Sequence, residues 1–230
     1  DEDIMKAIQQ AKPKQKAFDE SFEDIIIDTE NNDITLDDKR KNEHEKYLWL
    51  DKNADYGNSN LGKNSYKVLK ALKTEVRSLL DVGTGSGACP RWVRDNICKN
   101  VVGVDFAIKP KVNIDGITFL NASAHNLPFW DNYFDIVTSF DVLEHLVEEE
   151  VEDTLNELKR VAKKYLLFTI SHKKSTSYRS KIGELHPTIK PIKWWMKRFA
   201  KIGKIQLFYS WNRGKHVVPH TGDTIHQDAG

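Results

Sequence analysis

The sequence predicts an α/β protein: a seven-stranded, mostly parallel sheet with helices on both faces and a C-terminal antiparallel hairpin. Three observations carry that expectation. From Val76 onward, short apolar runs at 77–82, 101–105, 117–120, 134–140 and 165–170 alternate with helical segments. The runs are nearly continuous in apolar residues instead of alternating, which is the pattern of parallel strands covered on both faces. Near the end, 205–209 (IQLFY) and 216–218 (HVV) flank the turn formers of SWNRGK, as two strands of a hairpin would.

Taken in order, residues 1–59 read as an extension that covers the cleft of the domain that follows. Residues 18–45 are rich in acids, with one apolar run, Ile25 to Ile27, and read as a poorly packed leader or as an extension docked by that run. Residues 47–62 (YLWLDKNADYGNSNLG) carry aromatics among turn formers and read as an ordered loop. In 64–73, Tyr66, Leu69 and Leu72 fall at helical spacing. The main domain is expected over 60–219, with a loose tail at 220–230. Within it, 148–163 is the best-signalled helix. Val151, Leu155, Leu158 and Ala162 form one stripe, acids crowd the first turns and Lys and Arg the last. A further helix is expected from about Pro191, with Ile192, Trp195, Phe199 and Ile202 as its apolar stripe.

Ser78 to Val82 reads as a buried strand, and Gly83-Thr84-Gly85-Ser86-Gly87 as the turn after it. Glycines there let the backbone take left-handed angles and let a ligand approach without meeting a Cβ. The helix that starts around Ala88 to Trp92 turns its free N–H groups toward the same crevice, where open α/β sheets bind nucleotide-like ligands. Asp105, about 20 residues beyond the glycines, ends the next strand where a carboxylate can accept both hydroxyls of a ribose. Gly83, Gly85 and Ala88 also fit a dinucleotide fingerprint. Asp81 argues against one, because a carboxylate repels a pyrophosphate and attracts an ammonium. S-adenosylmethionine has the ribose and the ammonium without the phosphate.

These segments resemble a known family. LLDVGTGSG, VVGVDF and NLPFWDNYFDIVTSFDVLEHL look like the successive motifs of class I S-adenosylmethionine-dependent methyltransferases, over about 76–170 and with a Rossmann-like fold. The resemblance implies that Asp81, Gly83, Gly85 and Gly87 hold the methionine part of the cofactor and that Asp105, with Phe106 after it, holds the ribose. It implies that Ser123 and Ala124 stand at the adenine, where the family usually has Asp-Ala, and that Ser139 lies at the cleft. The acceptor is then expected beyond Ser139, under the long segment 171–199.

Methyl transfer to a hydroxyl needs an aligned acceptor and a base. Asp141, His145 and His186 are the catalytic candidates, with His125 and His172 also within reach of the loops. Asp141, Glu144 and His145 lie at i, i+3 and i+4, so one helical turn would gather them into a site suited to Mg²⁺ or Mn²⁺. This is similar to the E-x-x-E-H of ubiquinone-pathway O-methyltransferases and of small-RNA 3′-terminal 2′-O-methyltransferases. In those groups the cluster and a later His bind a divalent ion; here the later His would be His172 or His186. The alternative is that Glu144 and His145 only cap and brace a helix.

Composition excludes several classes. Lys and Arg number 35 against 34 Asp and Glu, which gives no general pull toward nucleic acid or anionic lipid. The local exception is the helix at 190–204, basic and without acids, a face that could hold phosphate. Two cysteines and no C-x-x-C argue against a zinc knuckle or a disulfide framework. No run approaches the ~18–20 apolar residues of a membrane span, and no basic region precedes an apolar stretch as in a signal peptide, so a cytoplasmic protein is expected. The expected function is O-methylation of a small molecule or a sugar. The rivals are an RNA ribose 2′-O-methyltransferase, a non-catalytic partner that binds S-adenosylmethionine, and a nicotinamide dehydrogenase.

Overall fold

A computed structural model describes residues 34–54, 68–70, 72, 74–107, 116–175, 182–211 and 214–220, the backbone alone beyond residue 205. The expectations for Ile25 to Ile27 and for the tail after His220 lie outside the described residues.

Five strands build the parallel part of the sheet: β1 (Ser78–Val82), β2 (Asn100–Asp105), β3 (Ile117–Asn121), β4 (Phe134–Phe140) and β5 (Ala162–Ile170). Two more, β6 (Lys204–Trp211) and β7 (Gly214–His220), pair antiparallel with each other, and β7 pairs antiparallel with β5. The order across the sheet is β3-β2-β1-β4-β5-β7-β6. The chain first builds outward from β1 and then returns to its other side, so β1 and β4 flank the switch point where such sheets bind ligands.

The near-continuous apolar runs are explained by helices on both faces. On one face Leu79, Val101, Ile136 and Leu167 pack under α2 (Ala88–Asn96), against its Cys89 and Val93. On the other, Leu80, Val102, Val137 and Leu166 pack under α3 (Val151–Val161) and α4 (Ile192–Ile202). Trp195 and Phe199 of α4 are wholly buried there, and Phe199 stacks on Phe168 of β5 at 5.2 Å.

Three local expectations change. The expected helix 148–163 opens as a 3₁₀ turn at Glu148–Glu150, and Ala162, expected on its stripe, already begins β5. Leu143–His145 is another 3₁₀ turn, and Asp141 stands outside it with φ of 52°. The third change is in the extension. Leu36–Asn53 is an α-helix, which takes in the end of what read as acidic leader and the start of what read as aromatic loop. It is numbered α0 because it precedes the domain. Its start is a capping box in which Thr35 and Asp38 satisfy each other's backbone N–H groups. Only Tyr47 and Leu50 of α0 are buried, in a small core with Ala107 and Leu185. So few apolar positions leave little periodicity to read.

Candidate active site

The glycine turn is set by crowding as well as by the ligand it faces. Gly83 has φ of 76°, and a Cβ there would stand 2.2 Å from Cγ2 of Val142. Its N–H and that of Thr84 both reach the carbonyl of Val104, at 2.8 and 3.0 Å, which pins the turn to β2. Gly85 and Gly87 also have positive φ, and Gly87 is the N-cap of α2.

Two carboxylates frame this turn. Asp81, buried at the end of β1, accepts a 2.6 Å hydrogen bond from the Thr138 hydroxyl of β4. Burial pushes its carboxyl up to about 6, against the pull of that bond. Asp105 accepts the N–H of Gly85 at 3.0 Å and that of Ala107 at 3.1 Å, one on each oxygen. Ser139 of β4 is buried, and its hydroxyl meets no hydrogen-bond partner among the described residues.

At the position expected for the adenine, the Ser123 hydroxyl lies 2.9 Å from Nδ1 of His125. That ring nitrogen is 3.4 Å from the Glu150 carboxylate, which Arg40 of α0 grips at 2.6 Å. Ala124 packs against the core. Phe106, just past Asp105, meets rings of α0: His44 at 5.1 Å and Tyr47 at 5.4 Å.

On the acceptor side the four sequence candidates separate into two groups. Asp141 turns toward β5. Its N–H donates to the Thr169 hydroxyl at 2.9 Å, and that hydroxyl donates to Asp141 Oδ1 at 3.0 Å. Burial raises its pKa. Glu144, His145 and His186 instead converge, with one potential ligand atom of each within 4.8 Å of the others. The helical turn expected to gather Asp141, Glu144 and His145 is therefore replaced by a 3₁₀ turn meeting a distant loop. His186 takes the place that spacing gave to Asp141. His172 is not in this group; its Nδ1 lies 3.0 Å from the carbonyl of Lys190.

The protonation of this group follows from its partners. Nδ1 of His145 lies 2.6 Å from the carbonyl of Leu185. A carbonyl only accepts, so Nδ1 carries the hydrogen and Nε2 the lone pair. Nδ1 of His186 meets the carbonyl of Lys173 at 2.5 Å, with the same consequence. The two rings sit edge to face at 4.5 Å. Burial, with His186 beside it, pushes His145 down to about 3, so the imidazole is neutral. Glu144 is wholly buried; Oε1 accepts the N–H of Ser171 at 2.8 Å, and Oε2 has no hydrogen-bond partner among the described residues. Burial raises its pKa well above the ordinary range, and the nearby Asp141 adds to that.

Sequence reasoning missed Tyr47, whose hydroxyl meets Nδ1 of His145, and the Leu185 carbonyl. The Thr35–Asp38 spacing is a capping signal that could have revealed the helix, though not where it docks. Among the described residues no helix is long and apolar enough to cross a membrane.

Comparisons with known proteins agree with this fold. Residues 80–168 match the family described as methyltransferase domain. A chain from the complex between the Haloferax volcanii Trm112 methyltransferase activator and its methyltransferase is 18% identical, with a TM-score of 0.60 over 80% of this chain and 98% of that one. A SAM-dependent methyltransferase from Aquifex aeolicus is 19% identical, with a TM-score of 0.55 over 78% and 98%. One from Mesorhizobium loti is 15% identical, with a TM-score of 0.56 over 69% and 98%. Among curated proteins, none matches. At these identities the structural likenesses speak for the fold, and the motif resemblance at 76–170 is met by the family match.

Proposed function

On the premise that residues 80–168 belong to the methyltransferase domain family, we propose that this S-adenosylmethionine-dependent methyltransferase acts on a hydroxyl of a small molecule or sugar. The observation that carries the choice of a hydroxyl is the His145 imidazole, whose Nδ1 is held by the Leu185 carbonyl so that Nε2 carries the lone pair.

The residues fit the cofactor. Asp81 is a buried acid with no cationic partner among the described residues, which suits an arriving ammonium. Asp105 ends β2 beside the glycine turn, where a carboxylate can accept ribose hydroxyls, and the Ser139 hydroxyl, without a partner among the described residues, offers one more polar contact. S-adenosylmethionine supplies the electrophilic methyl group. The protein holds Gly83, Gly85 and Gly87 open for it, keeps the acceptor beside His145 and His186, and takes the hydroxyl proton on an imidazole Nε2. Asp141 is tied to Thr169 and supports the chain bend between β4 and the Glu144 turn.

A second reading is favoured by the convergence of Glu144, His145 and His186. Two imidazoles and one carboxylate form a donor set that suits Mn²⁺, Fe²⁺ or Zn²⁺ better than the Mg²⁺ expected from two carboxylates. Bound there, a divalent ion would acidify an acceptor hydroxyl. The RNA alternative has less support. In the basic helix Lys190 pairs with Glu148, and Arg198 and Lys201 pair with Glu152, so much of its charge is already met. A partner subunit stays a further reading, since the Haloferax volcanii relative is solved together with an activator.

The test is transfer of labelled methyl from S-adenosylmethionine into cell-extract fractions, with wild type and His145→Asn, each with and without chelator. Label is expected in the small-molecule or polysaccharide fraction, and His145→Asn should lower it by about 100-fold or more while S-adenosylhomocysteine still binds. Label in RNA would overturn the acceptor class. Loss of label with chelator, together with metal in the purified protein, would favour the metal reading.

A further inference from the structure

We propose that Tyr47 is a positioning residue of the methyl-transfer site, holding the His145 imidazole through its hydroxyl, and that α0 is thereby one wall of that site. The inference rests on the function proposed above and deepens it, because it names a residue from outside the matched domain on which the site depends.

Tyr47 reaches His145 across 98 residues of sequence. It is buried, and its ring meets His145 edge to face at 5.6 Å and Phe106 at 5.4 Å. One side chain therefore touches both the residue beside the ribose acid and the imidazole on the acceptor side. With the hydrogen on Nδ1, as the Leu185 carbonyl requires, the phenol oxygen is a second acceptor for it. Two oxygens on one N–H hold the ring against rotation about its Cβ bond. Rotation would break both of these contacts. The role is the same whether the Nε2 lone pair takes a proton or a metal ion.

A brace alone would not need the oxygen. Phenylalanine would fill the same space without burying a hydroxyl, which is costly unless it is bonded. The tethers of α0 point the same way. Lys46 Nζ donates to the carbonyl of Glu184 at 3.0 Å, next to Leu185, and Arg40 grips Glu150. The helix is thus fixed to the loops that carry His145 and His186.

The test uses the full chain with ¹⁵N-labelled histidine, as wild type and Tyr47→Phe, with His145→Asn to assign the signals. Wild type should show His145 with hydrogen on Nδ1 and a lone pair on Nε2. In Tyr47→Phe the Nδ1–H proton should move upfield and exchange with water at least about tenfold faster, while S-adenosylhomocysteine affinity stays within about threefold. Methyl transfer at saturating cofactor should fall by about tenfold or more, with little change in the cofactor KM. Should Tyr47→Phe fail to fold, 3-fluorotyrosine at position 47 keeps the shape and changes the phenol, and the His145 proton signal must still move. Unchanged His145 signals in a folded variant would overturn the proposal. If wild type binds no S-adenosylhomocysteine, the function proposed above fails, and the histidine spectra still decide the role of Tyr47.

Discussion

The glycine turn and the histidine cluster, the cofactor and acceptor ends proposed above, meet at Val142 and Tyr47, yet they are built from different material. At the cofactor end the work is done by backbone: the turn at Gly83, Gly85 and Gly87, pinned to β2 by Val104 and Asp105. All of it lies within one β-α-β unit. At the acceptor end side chains converge from α0, from the turn after β4 and from the loop before α4. The first kind of site tolerates almost no added atom. The second depends on several long-range contacts, each of moderate strength.

The sharpest way to break that contrast is Gly83→Ala. The new Cβ would overlap Val142 in a left-handed backbone, so a loss of about 3 kcal/mol or more is expected, along with cofactor binding. Denaturant unfolding and calorimetry with S-adenosylhomocysteine check both. A near-silent substitution would mean that the turn is soft and the contrast misplaced.

Asp81→Asn sharpens it by separating stability from function. The folded pKa of Asp81 is raised to about 6 from 3.8, so its favourable contribution to the empty protein is present below pH 3.8 and lost as pH rises through about 6. At pH 7 the asparagine variant should therefore be more stable by about 1–3 kcal/mol, with the gap closing toward pH 4. Cofactor affinity should fall, since the ammonium loses its anion. Urea unfolding at both pH values and titration with S-adenosylhomocysteine are the measurements.

Arg40→Ala should have the smallest effect. It removes a tether of α0 and leaves the Glu150 carboxylate, 8% exposed, with a weaker partner. Arg40 is itself partly in solvent, so about 1 kcal/mol is expected. Hydrogen exchange should rise in α0 and stay unchanged in the glycine turn. Equal loosening of both would mean that the two ends are one cooperative unit.

The legibility of each end follows from the same difference. The strand, the glycines and the acid ending β2 stand within about 30 residues of one another, and their physics is that of a single turn. His145 and His186 were visible as residue types. Their pairing was not, because it depends on where the loop before α4 comes down. Asp141 was assigned to a helical cluster on spacing alone. The hydrogen bonds of Thr169 and a positive φ turn it elsewhere. The helix α0 was read as leader and loop because its polar surface gives no stripe.

By itself the sequence determined the parallel α/β core, the glycine turn and the two acids that face it, because strand burial and turn geometry are set by near neighbours. Tertiary structure alone decided which imidazoles meet, which nitrogen of each carries the hydrogen, and that a tyrosine from the extension reaches them. Those outcomes depend on carbonyls and rings brought together from distant segments, and neither periodicity nor spacing encodes where two loops cross.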